Sequence, residues 1–203
     1  MISKEQLQDL YKQGAITFTG AQLRTTQLPE TTKIWLQETG LPISQKDIVL
    51  GIYLQGDLKA IPVNRKTYRQ IGYEWENVHA IALEEGTGAV YSINEQEKTP
   101  PVFINADLPA FLTFLQYYQQ YQQRKSATDT PVASYSRDEM MKRLQEMKNR
   151  TAAAPPPPKK EKFDQKKESR SMKEFFQQND AAAIQDENNW WSMILEQVED
   201  DLL

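Results

Sequence analysis

The chain has 203 residues, 39% apolar and 10% aromatic, with a net charge of -4 and no cysteine. The lack of cysteine excludes disulfides, thiolate metal sites and thiol catalysis, and the negative balance argues against nucleic acid as the main partner while it suits a basic protein. No apolar stretch approaches the length needed to span a bilayer, and residues 1–7 lack the basic-then-apolar order of a signal peptide, so a soluble cytoplasmic protein is expected.

Ser3 and Gln6 have capping-box spacing, with Ile2 and Leu7 placed as a hydrophobic staple; a helix is expected over 4–13 with Leu7, Leu10 and Tyr11 on one face. A second helix is expected over 29–38, opened by Pro29 and carrying Ile34, Trp35 and Leu36. Gly40 supplies a left-handed cap after it and Pro42 prevents its continuation. Residues 48–54 are apolar on both alternating faces, the pattern of a central strand covered on both sides. Residues 58–63 read as a strand that Pro62 confines to an edge, and 68–73 as another, followed by a polar loop over 74–77.

Residues 78–83 and 89–93 make a hairpin, its turn running from Glu84 to Gly88, where Gly86 and Gly88 provide positive φ. Residues 102–104 form the last strand. Asp107 then caps a helix with Pro109 in its first turn, and Leu108, Phe111, Leu112, Leu115 and Tyr118 make the face that lies on the sheet. The expected fold class is α+β, a central, mostly antiparallel sheet of about five or six strands with packed helices, over residues 1–125.

Residues 126–203 read as a low-complexity extension, largely disordered or helical. A linker over 126–134 precedes a capped helix over 136–148, and a Pro-rich spacer covers 151–158. Capping-box spacing at Ser171 and Glu174 opens a short helix over 172–179. The final helix, 189–202, places Trp191, Ile194, Leu195, Val198 and Leu202 on one face. Its C-terminal end carries Glu196, Glu199, Asp200 and Asp201, against the macrodipole, so it is expected to be weak alone and steadier when docked on the domain or on a basic partner.

Few residues suggest chemistry. His79 is the only histidine and lies in an expected strand, so a packed or hydrogen-bonded role is expected for it, and no metal or cofactor site emerges. Composition is compatible with a serine–histidine–carboxylate set, but no nucleophile elbow supports one. Gly86-Thr87-Gly88 lacks the further glycines and the helix that a phosphate loop needs. The carboxylate pairs Glu74/Glu76 and Glu84/Glu85 fall in expected loops and suit a surface for a basic partner better than acid–base catalysis. Tyr73 and Trp75 beside them are interface-type anchors, as are Trp190 and Trp191 in the tail.

Gly40-Leu41-Pro42, Ile71-Gly72, Gly86-Thr87-Gly88-Ala89-Val90-Tyr91, and Asn105 followed by Leu108, Phe111 and Leu112 occur in an order that resembles the SUKH (Smi/Knr-like) superfamily, closest to the fourth class of its immunity proteins, over about residues 1–124. The resemblance implies an α+β fold, no catalysis, and binding of a cognate toxin of nuclease or deaminase type. Gly40, Pro42, Gly72, Gly86, Gly88 and Asn105 then read as fold determinants. Two other functions remain open: an adaptor whose tail recruits a second protein, and an enzyme with an acidic active site built from Glu74, Glu76, Glu84 and Glu85.

Overall fold

A computed structural model of the chain describes residues 3–43, 50–75, 78–97, 99–128, 137–138, 141 and 163–203. In chain order its elements are β1 (Ala15–Ile16), α1 (Gly20–Arg24), α2 (Glu30–Glu38), β2 (Leu41–Pro42), β3 (Ile52–Leu54), β4 (Ala60–Val63), β5 (Lys66–Glu74), β6 (His79–Glu84), β7 (Val90–Ile93), β8 (Val102–Asn105), α3 (Leu108–Thr128), α4 (Gln165–Asn179) and α5 (Trp190–Glu199). A six-stranded antiparallel sheet runs β3-β5-β6-β7-β8, with β4 also on β5. The α+β expectation is met, and the six strands of this sheet fall at the six expected places along the chain.

The expected central strand is instead an edge. Among the described residues its described part, β3, pairs with β5 alone, and Tyr53 is 42% exposed. Strand β5 is long enough to carry two partners on one side: β4 pairs with residues 66–69 and β3 with 72–74. A bulge at Gln70–Gly72 marks the handover, as an unpaired residue bends the strand and sharpens its twist. Gly72 has no side chain because a Cβ there would strike the Tyr53 carbonyl oxygen.

The sheet curls. Lys59, just before β4, reaches Glu95, just after β7, at 3.0 Å, although β5 and β6 lie between those strands. Ile61, Tyr68, Ala80, Ala82 and Ile93 form a buried cluster on one face, and the alanines leave room for the curl.

Ser3 and Gln6 make the expected capping box, but on a 3-10 turn, Lys4–Leu7. An unanticipated capping box, Thr19 with Gln22, opens α1. Pro29 is the N-cap of α2, one residue outside the first turn. Gly40 follows that helix at φ 76, and its amide and that of Thr39 both donate to the Trp35 carbonyl at 2.8 Å. Pro42 then lies in β2, paired with Ala15 of β1. Asp107 Oδ1 accepts from the Ala110 amide at 2.8 Å, and Leu108, Phe111, Leu112, Leu115 and Tyr118 are all buried.

Two compact units emerge, residues 1–121 with 165–203, and residues 122–164. A domain boundary at 125 is therefore corrected, since α4 and α5 belong to the first unit. Phe176 of α4 stacks on Phe114 of α3 at 3.9 Å between centroids, and Trp191 of α5 meets Phe176 at 4.9 Å. Ser171 lies inside α4 rather than at its cap, because the helix starts at Gln165, whose side-chain Nε2 donates to the Tyr121 hydroxyl at 2.9 Å and also to the Val198 carbonyl. Residues 126–128 end α3 instead of starting a linker. The Pro-rich spacer and nearly all of the helix expected over 136–148 lie outside the described residues.

Candidate functional site

The last residue of β5, Glu74, organises a polar centre. It is a strand residue, not a loop residue, and is 6% exposed. Its Oε1 accepts from the indole N–H of Trp75 at 3.2 Å and of Trp190 at 2.9 Å. Its Oε2 accepts from the Ser92 hydroxyl on β7 at 3.1 Å. His79 Nδ1 stands 3.7 Å from that oxygen, and His79 Nε2 is 3.4 Å from Asn94 Nδ2. Residues from β5, β6, β7 and α5 thus meet at one carboxylate.

Above it opens a cleft of about 210 Å³, lined by Leu50, Trp75, His79, Asn94, Met193 and Gln197 among others. Trp75 is 57% exposed. Leu50 and Trp75 have left-handed backbones, φ 54 and 49, on the two sides of the glycine at 51. The Trp75 ring packs on Gly51, where a Cβ would lie 3.0 Å from it, and the Trp75 amide donates to the Gly51 carbonyl at 3.1 Å. Left-handed non-glycine residues carry a steric cost and persist where surrounding contacts impose them, often at functional surfaces.

Ser92, His79 and Glu74 share this site, yet their connectivity is not that of a catalytic triad. In a triad the imidazole stands between hydroxyl and carboxylate; here the hydroxyl bonds the carboxylate directly and the imidazole's far nitrogen faces Asn94. Among the described residues no group of three or more histidine, cysteine, aspartate or glutamate side chains could hold a metal ion, and no helix is long and apolar enough to cross a membrane.

The other anchors expected from sequence fall elsewhere. Tyr73 is half-buried and pairs with Tyr53 across the sheet edge. Glu84 is 4% exposed, ion-paired with Lys66 and bonded by the Thr87 hydroxyl at 2.8 Å. Glu85 accepts from Arg69 Nε at 2.7 Å and the Gln27 amide at 3.0 Å, and Arg69 also donates to the Thr25 carbonyl at 3.1 Å. These two carboxylates therefore clamp the hairpin. Gly86 and Gly88 turn it at φ 89 and 77, with the Gly86 amide on the Gln27 carbonyl. Glu76 lies outside the described residues.

Trp190 and Trp191 are 4% and 0% exposed, which corrects their reading as surface anchors. They fill the interior, and Trp191 Nε1 bonds Asn105, so a tail-recruiting adaptor is left without them. Met193, Asn94 and His79 were not singled out as surface residues by sequence; Met193 sits on the polar side of α5's apolar stripe, which hid it.

The SUKH-4 immunity protein family model matches residues 2–197. The chain belongs to the SUKH-4 immunity protein family. The match runs past the expected limit at residue 124 and takes in α4 and most of α5, the helices that belong to this chain's first compact unit. No curated protein and no solved structure matches this SUKH-4 chain.

Proposed function

We propose that this SUKH-4 protein neutralises a cognate toxin, of nuclease or deaminase type, by stoichiometric binding in the cytoplasm and without turnover. The mouth of the Glu74 cleft is the surface it uses. One observation carries this choice: Trp75, an aromatic side chain 57% exposed, is held out by a left-handed backbone at the rim. Val78, two residues before β6's second position, and Met193 on the cleft wall are 49% and 38% exposed. A large side chain held in place at a surface, as Trp75 is by Gly51 and by its bond to Glu74, is what an interface uses as an anchor, because little conformational freedom remains to be lost on binding.

Co-expression of the full chain with the toxin domain encoded beside it tests the proposal. The expected outcome is a one-to-one complex on size exclusion and rescue of growth, with both weakened by Trp75→Ala combined with Met193→Ala. Growth arrest unrelieved by the intact chain, with no complex formed, would overturn it. Deleting residues 126–203 is not a suitable control, because it removes α4 and α5 from the core.

A further inference from the structure

Glu74 differs from the other carboxylates of the sheet. Glu84 has Lys66 and Glu85 has Arg69, whereas the donors to Glu74 are two indoles and a hydroxyl, all neutral. Among the described residues no lysine or arginine forms an ion pair with it, and His79 at 3.7 Å is a cation only when protonated. Neutral donors stabilise a buried carboxylate without cancelling its field, and that field is strong where water is scarce. Among the described residues its Oε2 accepts a hydrogen bond from Ser92 alone, which leaves an acceptor position on that oxygen.

The cleft walls suit a cation. One face of the Trp75 ring lies on Gly51, and with the side chain 57% exposed the other face is left for a partner; a guanidinium or ammonium binds favourably over an indole. Glu196 and Asp200 are exposed at the end of the helix that supplies Met193 and Gln197 to the cleft, and their charge adds to the negative potential on that side of the molecule.

We infer that the cleft receives one basic side chain of the partner, an arginine or lysine that stacks on Trp75 and takes the open acceptor position of Glu74. The inference rests on the toxin-binding reading and names what the partner brings: a basic residue projecting from its contact surface.

Glu74→Gln is the decisive variant, since it removes the charge and can keep the network. The amide oxygen accepts from both indoles, and the amide nitrogen donates to a Ser92 hydroxyl that rotates. The full chain is titrated with Nα-acetyl-arginine amide and with its neutral isostere Nα-acetyl-citrulline amide, following the indole N–H signals of Trp75 and Trp190 by NMR. A saturable shift of both signals with the arginine compound is expected, about tenfold weaker or more with the citrulline compound, and weakened likewise in Glu74→Gln and in Trp75→Ala. An equal response to the two compounds on the wild-type chain, or no response at either indole, overturns the inference whatever the variants do. The two readings fail separately. Arginine-selective shifts in a protein that binds no toxin remove the toxin reading alone, whereas a toxin that binds wild type and Glu74→Gln equally removes the inference alone.

Discussion

Trp191 donates its indole N–H to Asn105 Oδ1 at 2.8 Å, and Asn105 passes the connection on, its Nδ2 donating to Asp180 Oδ2 at 3.0 Å. The Ala106 amide also donates to that Asp180 oxygen, at 2.8 Å. One asparagine at the end of β8, 0% exposed, thereby ties the last strand to the α4–α5 connection and to α5. Asn105→Ala leaves a buried indole N–H and part of a buried carboxylate without their partner, each at a cost of about 1–3 kcal/mol. The expected loss is about 3 kcal/mol in urea unfolding, with amide exchange rising first over 180–199. A loss under about 1 kcal/mol would show that the network does not hold the segment.

Truncation after residue 164 follows from the same packing. It uncovers Phe114, which stacks on Phe176 and meets Trp191 at 5.5 Å. Residues 1–164 alone are expected to be aggregation-prone, with no cooperative thermal transition, because the core loses Met172, Phe176, Trp190, Trp191, Ile194, Leu195 and Val198 together. A cooperative transition near that of the full chain would contradict this.

The sequence made the hairpin, the strand edge at Pro62 and the helix after Asp107 legible because each rests on local chemistry: glycines in a turn, a proline without a donor, an aspartate before an apolar stripe. It also gave the apolar face of α5, but not what that face covers. Charge and proline content made residues 126–203 look detachable, since composition says nothing of contacts such as Asn105 with Trp191, 86 residues apart. The carboxylates were misplaced for a similar reason. Glu74 and Glu84 sit at strand ends beside polar residues, where a one-residue difference in boundary decides between solvent and interior. The exposed position of Trp75 was legible from the polar residues around it, whereas the opposite wall of its cleft, on α5, was not.

Glu85→Ala separates the clamp role from a binding one. Arg69 and Glu85 side chains are 18% and 10% exposed, so removing the carboxylate strands a mostly buried guanidinium and frees the Gln27 amide. About 2–3 kcal/mol of stability is expected to go, a fall in Tm of roughly 5–10 °C for a chain of this size. Affinity for the toxin, measured well below the new Tm, is expected to hold. Weakened binding at unchanged Tm would place Glu85 in the interface instead.

Gly40→Ala tests the junction between α2 and β2. The residue has φ 76, and a Cβ would strike the Ile16 carbonyl oxygen, while the Gly40 carbonyl accepts from the buried Tyr11 hydroxyl at 2.7 Å. Left-handed backbone costs a side-chain-bearing residue about 1–2 kcal/mol before any clash, so a loss of at least about 2 kcal/mol is expected in urea unfolding.

Alkaline pH supplies the last prediction. Burial raises the Tyr11, Tyr68 and Tyr91 hydroxyls above the ordinary tyrosine value, and for Tyr68 and Tyr91 the nearby Glu84 charge raises them further. A folded value above the unfolded one means that the folded chain keeps protons that the unfolded chain releases. That contribution to stability is complete below about pH 10 and is lost as the pH climbs from there through the raised folded values. Phenolate absorbance is expected to show Tyr11, Tyr68 and Tyr91 titrating late, and the urea midpoint is expected to fall above about pH 10. In Glu84→Gln the Tyr68 and Tyr91 titrations move back toward the ordinary value while Tyr11 stays where it was. A common shift of all three would mean that the variant loosens the fold and not that the Glu84 charge acts on its two neighbours.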